Sequence, residues 1–240
     1  MFCGNTAKKP ASCSQGAIES PGAVSHAMTA DFVFHEVRRE RDVGQHNAVV
    51  GELERWCYLP YPACSRRNLE KVDLFLVASP SPASISASRA TSTSTTAGAG
   101  EDASSAMVGA VGVVWVPLAP GREVEGYIQV VLVQPAYRRR HIAEDLLRRV
   151  LRLVEGGDPV RRIFRWRLHT MVSAPQTTAY LRRVLPENDN PAVQDELLEE
   201  MERLVAAVPR VYEKLGFTIR KNIYAYYNKS ADAVEMVRRG

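Results

Sequence analysis

Three consecutive arginines, Arg138, Arg139 and Arg140, lie where an apolar run typical of a strand meets an amphipathic run typical of a helix. An anion at such a junction would meet the unpaired N–H groups of the first helical turn and the positive end of the helix dipole. The guanidinium group adds charge and matches phosphate oxygens geometrically. By composition alone, three adjacent arginines also describe a solvated basic face. Both interpretations stay open, and the place of the arginines at a strand end is what favours the anion site.

Two further residues, Tyr127 and His169, lie inside apolar runs and could move a proton. The ordinary pKa of a histidine is about 6.5, which suits a base at neutral pH, whereas that of a tyrosine is about 10 and would require help from its surroundings. A mixed sheet could bring the two runs side by side. A tyrosine in an apolar strand is more often a core residue, so residue type alone assigns neither of them a role.

The composition is that of a mildly basic globular protein, with 240 residues, a net charge of +4 and 45% hydrophobic residues. A chain of this length can hold one domain with insertions or two small domains. The weak positive charge suits acidic ligands but does not indicate specific binding of nucleic acid. The sequence has no run of about 20 apolar residues that would span a membrane, and its start lacks the apolar segment of a secretory signal. We expect a cytoplasmic protein, with the nucleus as a further location.

The four cysteines are expected to be reduced thiols rather than disulfides or metal ligands. His46, Cys57 and Cys64 could be imagined as a metal site, but their spacing matches no zinc pattern. We therefore expect no metal.

The hydrophobic pattern predicts strands, helices and one long interruption. Residues 1–30 lack periodicity and are expected to form a flexible tail. Residues 79–106 have almost no bulky apolar side chains, so they cannot bury enough surface to offset the entropy of ordering, and we expect a disordered insertion. The ordered elements of the first two thirds are predicted as strands at about 32–37, 72–78, 107–118, 126–133 and 162–172, with helices at about 48–57 and 139–155.

The last third is predicted to contain one more helix and one more strand. Asn190 and Pro191 are typical of an N-cap and a first helical residue, and Gly216 is expected to cap a helix end. A final strand at about 217–227 is followed by what we interpret as a charged tail. This order of elements predicts an α/β fold built around one mixed sheet.

Three segments together resemble the GCN-five-related N-acetyltransferase (GNAT) superfamily. VLVQPAYRRRHIA resembles its motif Gln/Arg-x-x-Gly-x-Gly/Ala, MVGAVGVVWV resembles its glycine-containing third strand, and YEKLGF resembles its terminal signature. Arg138 and Ala143 match the first and last positions of the motif, whose backbone amides hold the pyrophosphate of acetyl-CoA in the family. His141 stands where the family has glycine, which lets the backbone approach the phosphate closely. An ordinary helical φ and ψ at His141 would still be tolerable.

The resemblance implies a fold, a domain organisation and a co-substrate. The implied fold is a GNAT-type mixed, mostly antiparallel central sheet with a splayed parallel strand pair, flanked by helices. It would form a single domain over residues 31–240, with the disordered insertion at about 79–106 and a helical insertion at about 180–208. The implied co-substrate is acetyl-CoA, without a metal. The residues expected to bind acetyl-CoA are Val131, Val133, Arg138, Arg139, Arg140, His141, Ile142, Ala143 and Tyr212, with Tyr180 competing for the place of Tyr212 near the sulfur.

Within the superfamily the chain resembles the N-terminal acetyltransferases of the NatE catalytic-subunit (San) type. GYIQVVLVQPAYRRRHIA runs in step with the family's catalytic strand and places Tyr127 at its catalytic tyrosine, while WRLHT places His169 at its catalytic histidine. The family's asparagine after that histidine falls on Ala174. The resemblance also implies substrate-binding residues, namely Leu59, Pro60 and Tyr61 in a loop and Tyr224 as a clamp.

The function implied is a protein N-α-acetyltransferase acting on Met-initiated N-termini with a hydrophobic second residue, by direct attack in a ternary complex. Acetyl transfer requires a neutral amine and therefore a proton acceptor, with a backbone N–H, that of Val131 for example, facing the developing oxyanion. Two alternatives stay open: a GNAT enzyme acting on lysine or small-molecule amines, and a CoA-binding adaptor with weakened activity. The expected partners are peptide or protein N-termini, with an auxiliary subunit or the ribosome as further candidates, and neither a membrane nor specific nucleic acid.

Overall fold

The structure is a computed structural model, and it describes residues 31–56, 64–82, 107–118, 123–155, 162–185 and 190–240. The predicted tail at 1–30, the loop with Leu59, Pro60 and Tyr61, and residues 83–106 of the predicted insertion lie outside these ranges.

The described residues form one seven-stranded sheet in the order β1-β2-β3-β4-β5-β7-β6. The strands are β1 (Phe32–Arg38), β2 (Leu74–Pro80), β3 (Gly109–Pro117), β4 (Glu123–Val133), β5 (Arg162–Met171), β6 (Thr218–Tyr227) and β7 (Ala231–Arg239). The α-helices in the same ranges are α1 (Val43–Trp56), α2 (Arg66–Leu69), α3 (Ile142–Glu155), α4 (Pro175–Val184) and α5 (Pro191–Lys214), with a 3₁₀ turn at Pro135–Tyr137.

One pair of strands in this sheet is parallel, and that pair separates along its length. β4 and β5 run parallel, whereas every other neighbouring pair is antiparallel. Their pairing ends at Ile128 and Leu168, although β4 continues to Val133 and β5 to Met171. At the same level β4 contains a β-bulge, because Val113 pairs with Ile128 and Gly112 with Val130. The GNAT-type fold class predicted from the sequence is confirmed: a mixed, mostly antiparallel sheet with a splayed parallel pair.

Helices cover both faces of the sheet, which explains why β2 is buried from Leu74 to Ser79 and β3 from Gly109 to Val113. α1 and α2 pack on one face over a cluster that includes Val50, Leu53 and Phe75. α3 packs on the other face, where its predicted apolar stripe is buried together with Trp166 and Leu168 of β5. The buried residues of that stripe are Ile142, Leu146, Leu147, Val150 and Leu151.

Two predicted helix boundaries of α5 are confirmed. The side chain of Asn190 accepts a hydrogen bond from the N–H of Ala192, as an N-cap does. Gly216 follows the helix with a φ of 85°, a left-handed conformation that glycine adopts without strain. α5 runs unbroken from Pro191 to Lys214, with Pro209 inside it.

α3 begins at Ile142 rather than at the predicted Arg139. The reason lies in the backbone, since Arg139 has a φ of 62° and His141 a φ of 59°, and both values are left-handed. His141 therefore does not adopt the ordinary helical conformation that the sequence interpretation considered tolerable. It adopts the conformation that usually selects glycine, at a cost of about 1–2 kcal/mol for another residue.

The predicted charged tail is wrong, because residues 231–239 form β7 in the interior of the sheet, between β5 and β6. Its charged residues misled the prediction. In the structure Glu235 is 3% exposed and its charge is balanced by neighbouring cations, which a reading of local hydrophobicity cannot detect. α4 (Pro175–Val184) is a further helix that the hydrophobic pattern did not predict.

Any side chain at Gly126 is expected to destabilise the fold, because this residue lies against the buried ring of Trp166. A Cβ atom there would come within 2.5 Å of Trp166 Cε3. We expect Gly126→Ala to lower the free energy of unfolding by about 1–3 kcal/mol, the usual cost of overpacking. Urea denaturation measures this, with Gly51→Ala as the control.

Gly51 lies inside α1, where an added Cβ meets nothing within 4 Å. Gly51→Ala should raise stability by about 0.5–1 kcal/mol through helix propensity. A Gly126→Ala variant as stable as the unmodified chain would contradict this account of the β4–β5 contact.

Candidate active site

Tyr127 of β4 and His169 of β5 meet where the two parallel strands separate. The Tyr127 hydroxyl lies 3.0 Å from His169 Nδ1. Tyr127 comes one residue before the last β4 pairing, and His169 one residue after the last β5 pairing. The side-by-side placement expected of a mixed sheet is therefore observed, while the catalytic roles of the two residues stay predictions.

A second tyrosine, Tyr226 of β6, reaches the same nitrogen. Its hydroxyl lies 2.9 Å from His169 Nδ1, and the two rings lie 4.9 Å apart. Tyr224, the substrate clamp proposed from the sequence, is 77% exposed. The difference arises because β6 changes register between Ile223 and Tyr227, and Ala225 has a left-handed φ of 52°. This irregularity was not visible in the sequence pattern, and the substrate role of Tyr224 stays a prediction.

Glu235 of β7 contacts the other nitrogen of His169. Its Oε2 lies 3.3 Å from His169 Nε2, and the two residues are direct partners in the β5–β7 ladder. Sequence reasoning missed Glu235 because it assigned residues after 227 to a tail. A signal was present in AVEMV (233–237), where one acidic residue interrupts an otherwise small and apolar run that is typical of a buried strand.

These partners determine which nitrogen of His169 carries the proton in the neutral ring. An ionised carboxylate only accepts hydrogen bonds, so Nε2 must donate to Glu235. Nδ1 then presents its lone pair and accepts from a tyrosine hydroxyl. Because that nitrogen has a single lone pair, Tyr127 and Tyr226 compete for it. The arrangement leaves Nδ1 as the basic atom of the site.

The surroundings also determine the charge of these groups. Burial lowers the pKa of His169 below its usual 6.5, and the hydrogen bond with Glu235 only partly opposes this effect. Burial raises the pKa of Tyr127 well above its usual value, and the contact with Tyr226 adds to this rise. Burial alone would raise the pKa of Glu235, but the hydrogen bond from His169 and the charges of Lys221, Arg220 and Arg167 lower it. Near pH 7 the site therefore contains a neutral histidine, a neutral tyrosine and an ionised carboxylate.

A second buried carboxylate, Glu125 of β4, supports the same face of the sheet. Glu125 is 1% exposed and pairs with Arg165 and with Arg167, whose Nε lies 2.6 Å from its Oε1. The Arg167 guanidinium also lies 4.9 Å from the centre of the Tyr127 ring. The ion pairs therefore hold in place the Arg167 side chain against which the Tyr127 ring packs.

The three arginines at the start of α3 have different surroundings. Arg138 Nη1 lies 2.7 Å from Glu200 Oε1 of α5. Arg139 is exposed, and Arg140 lies over the ring of Tyr137 at 5.4 Å. His141 is exposed, with Nδ1 3.5 Å from Glu144 Oε2. The arginine that matches the first motif position is thus already bound to a carboxylate, which supports the idea that it can hold an anion.

The remaining residues predicted to bind the co-substrate differ in their accessibility. Ile142 is buried in the core, while Ala143, Val131 and Val133 are half-buried. Val131 and Val133 lie on the part of β4 that has left β5. Tyr212 is buried against Phe217, and burial raises its pKa.

Tyr180, the alternative to Tyr212, is fully buried in α4. Its hydroxyl accepts a hydrogen bond from Asn228 Nδ2 at the β6–β7 turn. Ala174, in the place of the family asparagine, is the N-cap of α4 and provides no side-chain cap. Leu59, Pro60 and Tyr61 lie outside the described residues.

Among the described residues, no three His, Cys, Asp or Glu side chains converge in a way that could hold a metal ion. None of the described helices combines the length and the apolar character that crossing a membrane requires.

Solved structures with a similar fold include acetyltransferases. The NatC complex bound to Gag peptide and CoA matches with 15% identity and a TM-score of 0.49, over 88% of this chain and 99% of that one. NAA60 of Arabidopsis thaliana in complex with a bisubstrate analogue matches with 16% identity and a TM-score of 0.48, over 87% of this chain and 99% of that one. A spermidine N-acetyltransferase SpeG chimera from Vibrio cholerae matches with 14% identity and a TM-score of 0.44, over 88% and 96%. No protein-family model and no curated protein sequence matches the chain.

The lowered pKa of His169 predicts a pH effect on stability. The unfolded chain binds this proton more readily than the folded protein, so the contribution is complete above about pH 6.5 and is lost as the pH falls through the lower, folded value. An NMR titration of the ring should give a pKa below 6.5, with His169→Gln identifying the resonance. A value above 6.5 would mean that Glu235 outweighs burial, contrary to this prediction.

Proposed function

We propose that the chain is an acetyl-CoA-dependent protein N-α-acetyltransferase that acetylates peptide or protein N-termini by direct attack in a ternary complex. The observation that carries this proposal is the contact of Tyr127 with Nδ1 of a neutral His169 at the point where β4 and β5 separate. A base in this state can receive the proton that the attacking amine must lose.

The geometry supports a place for the co-substrate along β4. Beyond Ile128 this strand no longer pairs with β5, so an extended ligand can lie against its edge, with Val131 and Val133 beside it. The strand leads to Arg138 and to the first turn of α3, where helix N–H groups and cationic side chains suit a pyrophosphate. The residues present therefore fit acetyl-CoA, and Glu200 is the competing anion at Arg138.

The proton steps follow from the partners of His169. A substrate α-amine has a pKa of about 8 and must lose a proton to attack the thioester carbon. Nδ1 receives this proton, directly or through the hydroxyl of Tyr127 or Tyr226, while Nε2 stays bound to Glu235. The neutral amine then attacks and the new C–N bond forms. As the C–S bond breaks, the nitrogen loses a second proton, which neutralises the departing CoA thiolate, and the proton on Nδ1 is released to solvent. The raised pKa of Tyr127 makes it a proton relay or a positioning group rather than a free base.

The charge of the site favours a peptide over a polyamine. Arg165, Arg167, Arg220 and Lys221 surround two carboxylates, Glu125 and Glu235, and both carboxylates are buried in ion pairs. This net positive surface repels a polyamine, which keeps several positive charges after losing one proton. A peptide N-terminus has one amine to neutralise. The exposed rings of Tyr224 and Tyr226 offer an aromatic surface for its backbone and side chains.

A Met-initiated N-terminus with a hydrophobic second residue is the substrate that we propose, on the resemblance to the NatE (San) type, with Leu59, Pro60 and Tyr61 lining the pocket for the first residue. An auxiliary subunit or the ribosome is proposed as a partner on the same basis, and the cytoplasm as the location. A Met-Leu peptide, a Met-Glu peptide, a lysine-containing peptide with a blocked N-terminus, and spermidine form the panel that separates these substrate classes.

We expect His169→Gln to reduce kcat with the best peptide by about 10²–10⁴-fold, because a general base contributes that much. Tyr127→Phe should also reduce kcat, while neither change should alter the dissociation constant of acetyl-CoA. Steady-state turnover and calorimetric binding measure the two quantities. Full activity in both variants would contradict the catalytic roles of Tyr127 and His169. Binding of acetyl-CoA without turnover of any amine would favour the alternative of a CoA-binding adaptor.

The ion pair between Arg138 and Glu200 should compete with acetyl-CoA. An exposed pair of this kind contributes about 0.2–1 kcal/mol, so Glu200→Ala should tighten acetyl-CoA binding by roughly 1.4- to fivefold. Glu199→Ala is the matched control, since Glu199 lies on the same helix and pairs with Arg203 instead. Equal effects of the two changes would show that Arg138 does not bind the anion.

A further inference from the structure

We propose that Glu235 is a positioning residue that holds His169 in the tautomer with its proton on Nε2, so that Nδ1 is the atom that receives the proton of the substrate amine. This inference rests on the proposed function and adds to it a residue on β7. Glu235 itself lies behind His169, whose Nδ1 side holds the two tyrosine hydroxyls, and it acts through the histidine ring.

The contacts of the two carboxylate oxygens separate this role from a purely structural one. Oε1 accepts a hydrogen bond from Arg220 Nη1 at 3.0 Å. Oε2 lies 3.3 Å from His169 Nε2. The same oxygen lies 3.6 Å from Arg167 Nη1 and 3.9 Å from Lys221 Nζ. Of these three side chains, His169 is therefore the nearest to Oε2. One oxygen anchors the carboxylate to β6, and the other faces the ring.

The charges around the pair keep the tautomer fixed and the ring neutral at the same time. Arg167, Arg220 and Lys221 keep the Glu235 carboxylate ionised, so it offers only acceptors to Nε2. Burial opposes protonation of His169, and the charges of Arg167 and Lys221 add to this effect. A lone carboxylate beside a histidine would favour the doubly protonated ring. The cations offset this effect and leave the orientation of the neutral ring as the net result.

Burial makes the arrangement specific. Glu235 is 3% exposed and the side chain of His169 is 10% exposed, so water does not readily replace either partner. Removing one partner of a buried contact leaves the other unsatisfied. Without an obligate acceptor at Nε2, the ring could place its proton on Nδ1 and direct Nε2 at a donor, and Nδ1 would then have no lone pair for the substrate proton.

The first test measures the tautomer directly by long-range ¹H–¹⁵N NMR of His169, at a pH above its titration. In the unmodified protein we expect the proton on Nε2. Glu235→Gln keeps the size of the side chain but adds an N–H donor, so we expect a mixture of tautomers or the Nδ1–H form. The Nδ1–H form in the unmodified protein would overturn the proposal even if the variant failed to fold.

Glu125→Gln is the matched control. Glu125 is equally buried and also pairs with Arg167, but it has no hydrogen bond with His169. It should cost stability in the same way and retain the Nε2–H tautomer. A tautomer that is unchanged in Glu235→Gln, or that changes equally in Glu125→Gln, would show that the carboxylate acts through the fold alone and would overturn the proposal.

The second test is kinetic. Glu235→Gln should reduce kcat by roughly tenfold or more, because the wrong tautomer presents an N–H in place of a lone pair. The dissociation constant of acetyl-CoA should not change, and the acid limb of the kcat/KM profile should move to lower pH because the negative charge that favours protonated His169 is lost. An unmoved acid limb with a normal kcat would contradict the role of Glu235.

The two levels of inference fail separately. The NMR measurement needs neither acetyl-CoA nor an acceptor, so absence of turnover with every amine would overturn the proposed function and leave the tautomer result standing. Turnover that depends on His169, together with the Nδ1–H form in the unmodified protein, would overturn the role of Glu235 and leave the proposed function standing.

Discussion

The separation of β4 from β5 is the constraint on which the rest of the site depends. While the two strands are paired, their backbone groups satisfy each other and no ligand can lie between them. The β-bulge at Ile128–Val130 lies at the level where this pairing ends, and it changes which β4 residues face each side of the sheet. Tyr127 lies just before this point, and the free edge of β4 leads from it to α3. One local irregularity thus links the Tyr127–His169 pair to the helix start that we propose as the anion site.

Two buried carboxylates determine the electrostatics of that face. Burial of an ionised carboxylate is unfavourable by several kcal/mol unless it is paired and hydrogen-bonded. Glu125 and Glu235 meet this requirement with cations from β5 and β6, and Arg167 lies between them and contacts both. These ion pairs connect four strands, so the position of the His169 ring is fixed by groups that are distant in sequence. Burial lowers the pKa of His169, and the charges of Arg167 and Lys221 add to this effect, so the ring stays in the neutral state that a base requires.

The start of α3 combines attraction for an anion with two obstacles to it. Arg138 and the helix N–H groups favour a phosphate, but Glu200 already pairs with Arg138, and His141 has a left-handed conformation with a side chain where glycine would leave space. The helical segment that carries Glu200 was predicted as an insertion. Through its contact with Arg138, this segment would compete with an anion at the proposed site without contributing a residue to the chemistry.

The sequence by itself determined most of the elements and the candidate pair. Apolar runs predicted strands close to β1 to β5, and helical spacing predicted the buried stripe of α3, because burial of one face leaves a period in the sequence. Asn190 and Gly216 marked helix ends because capping depends on residues that are adjacent in the chain. Tyr127 and His169 were found because each lies in a strand with a recognisable pattern around it.

Only the tertiary structure decided what surrounds that pair. β7 was not predicted because its charged residues look solvated until the cations of other strands are placed beside them, and Glu235 was missed with it. Tyr226 rather than Tyr224 reaches His169 because a left-handed residue and a register change alter the alternation of β6. The conformation of His141 likewise depends on how the strand turns into the helix. Local patterns report burial along one element, whereas the tautomer, charge and partners of a histidine depend on contacts among four strands.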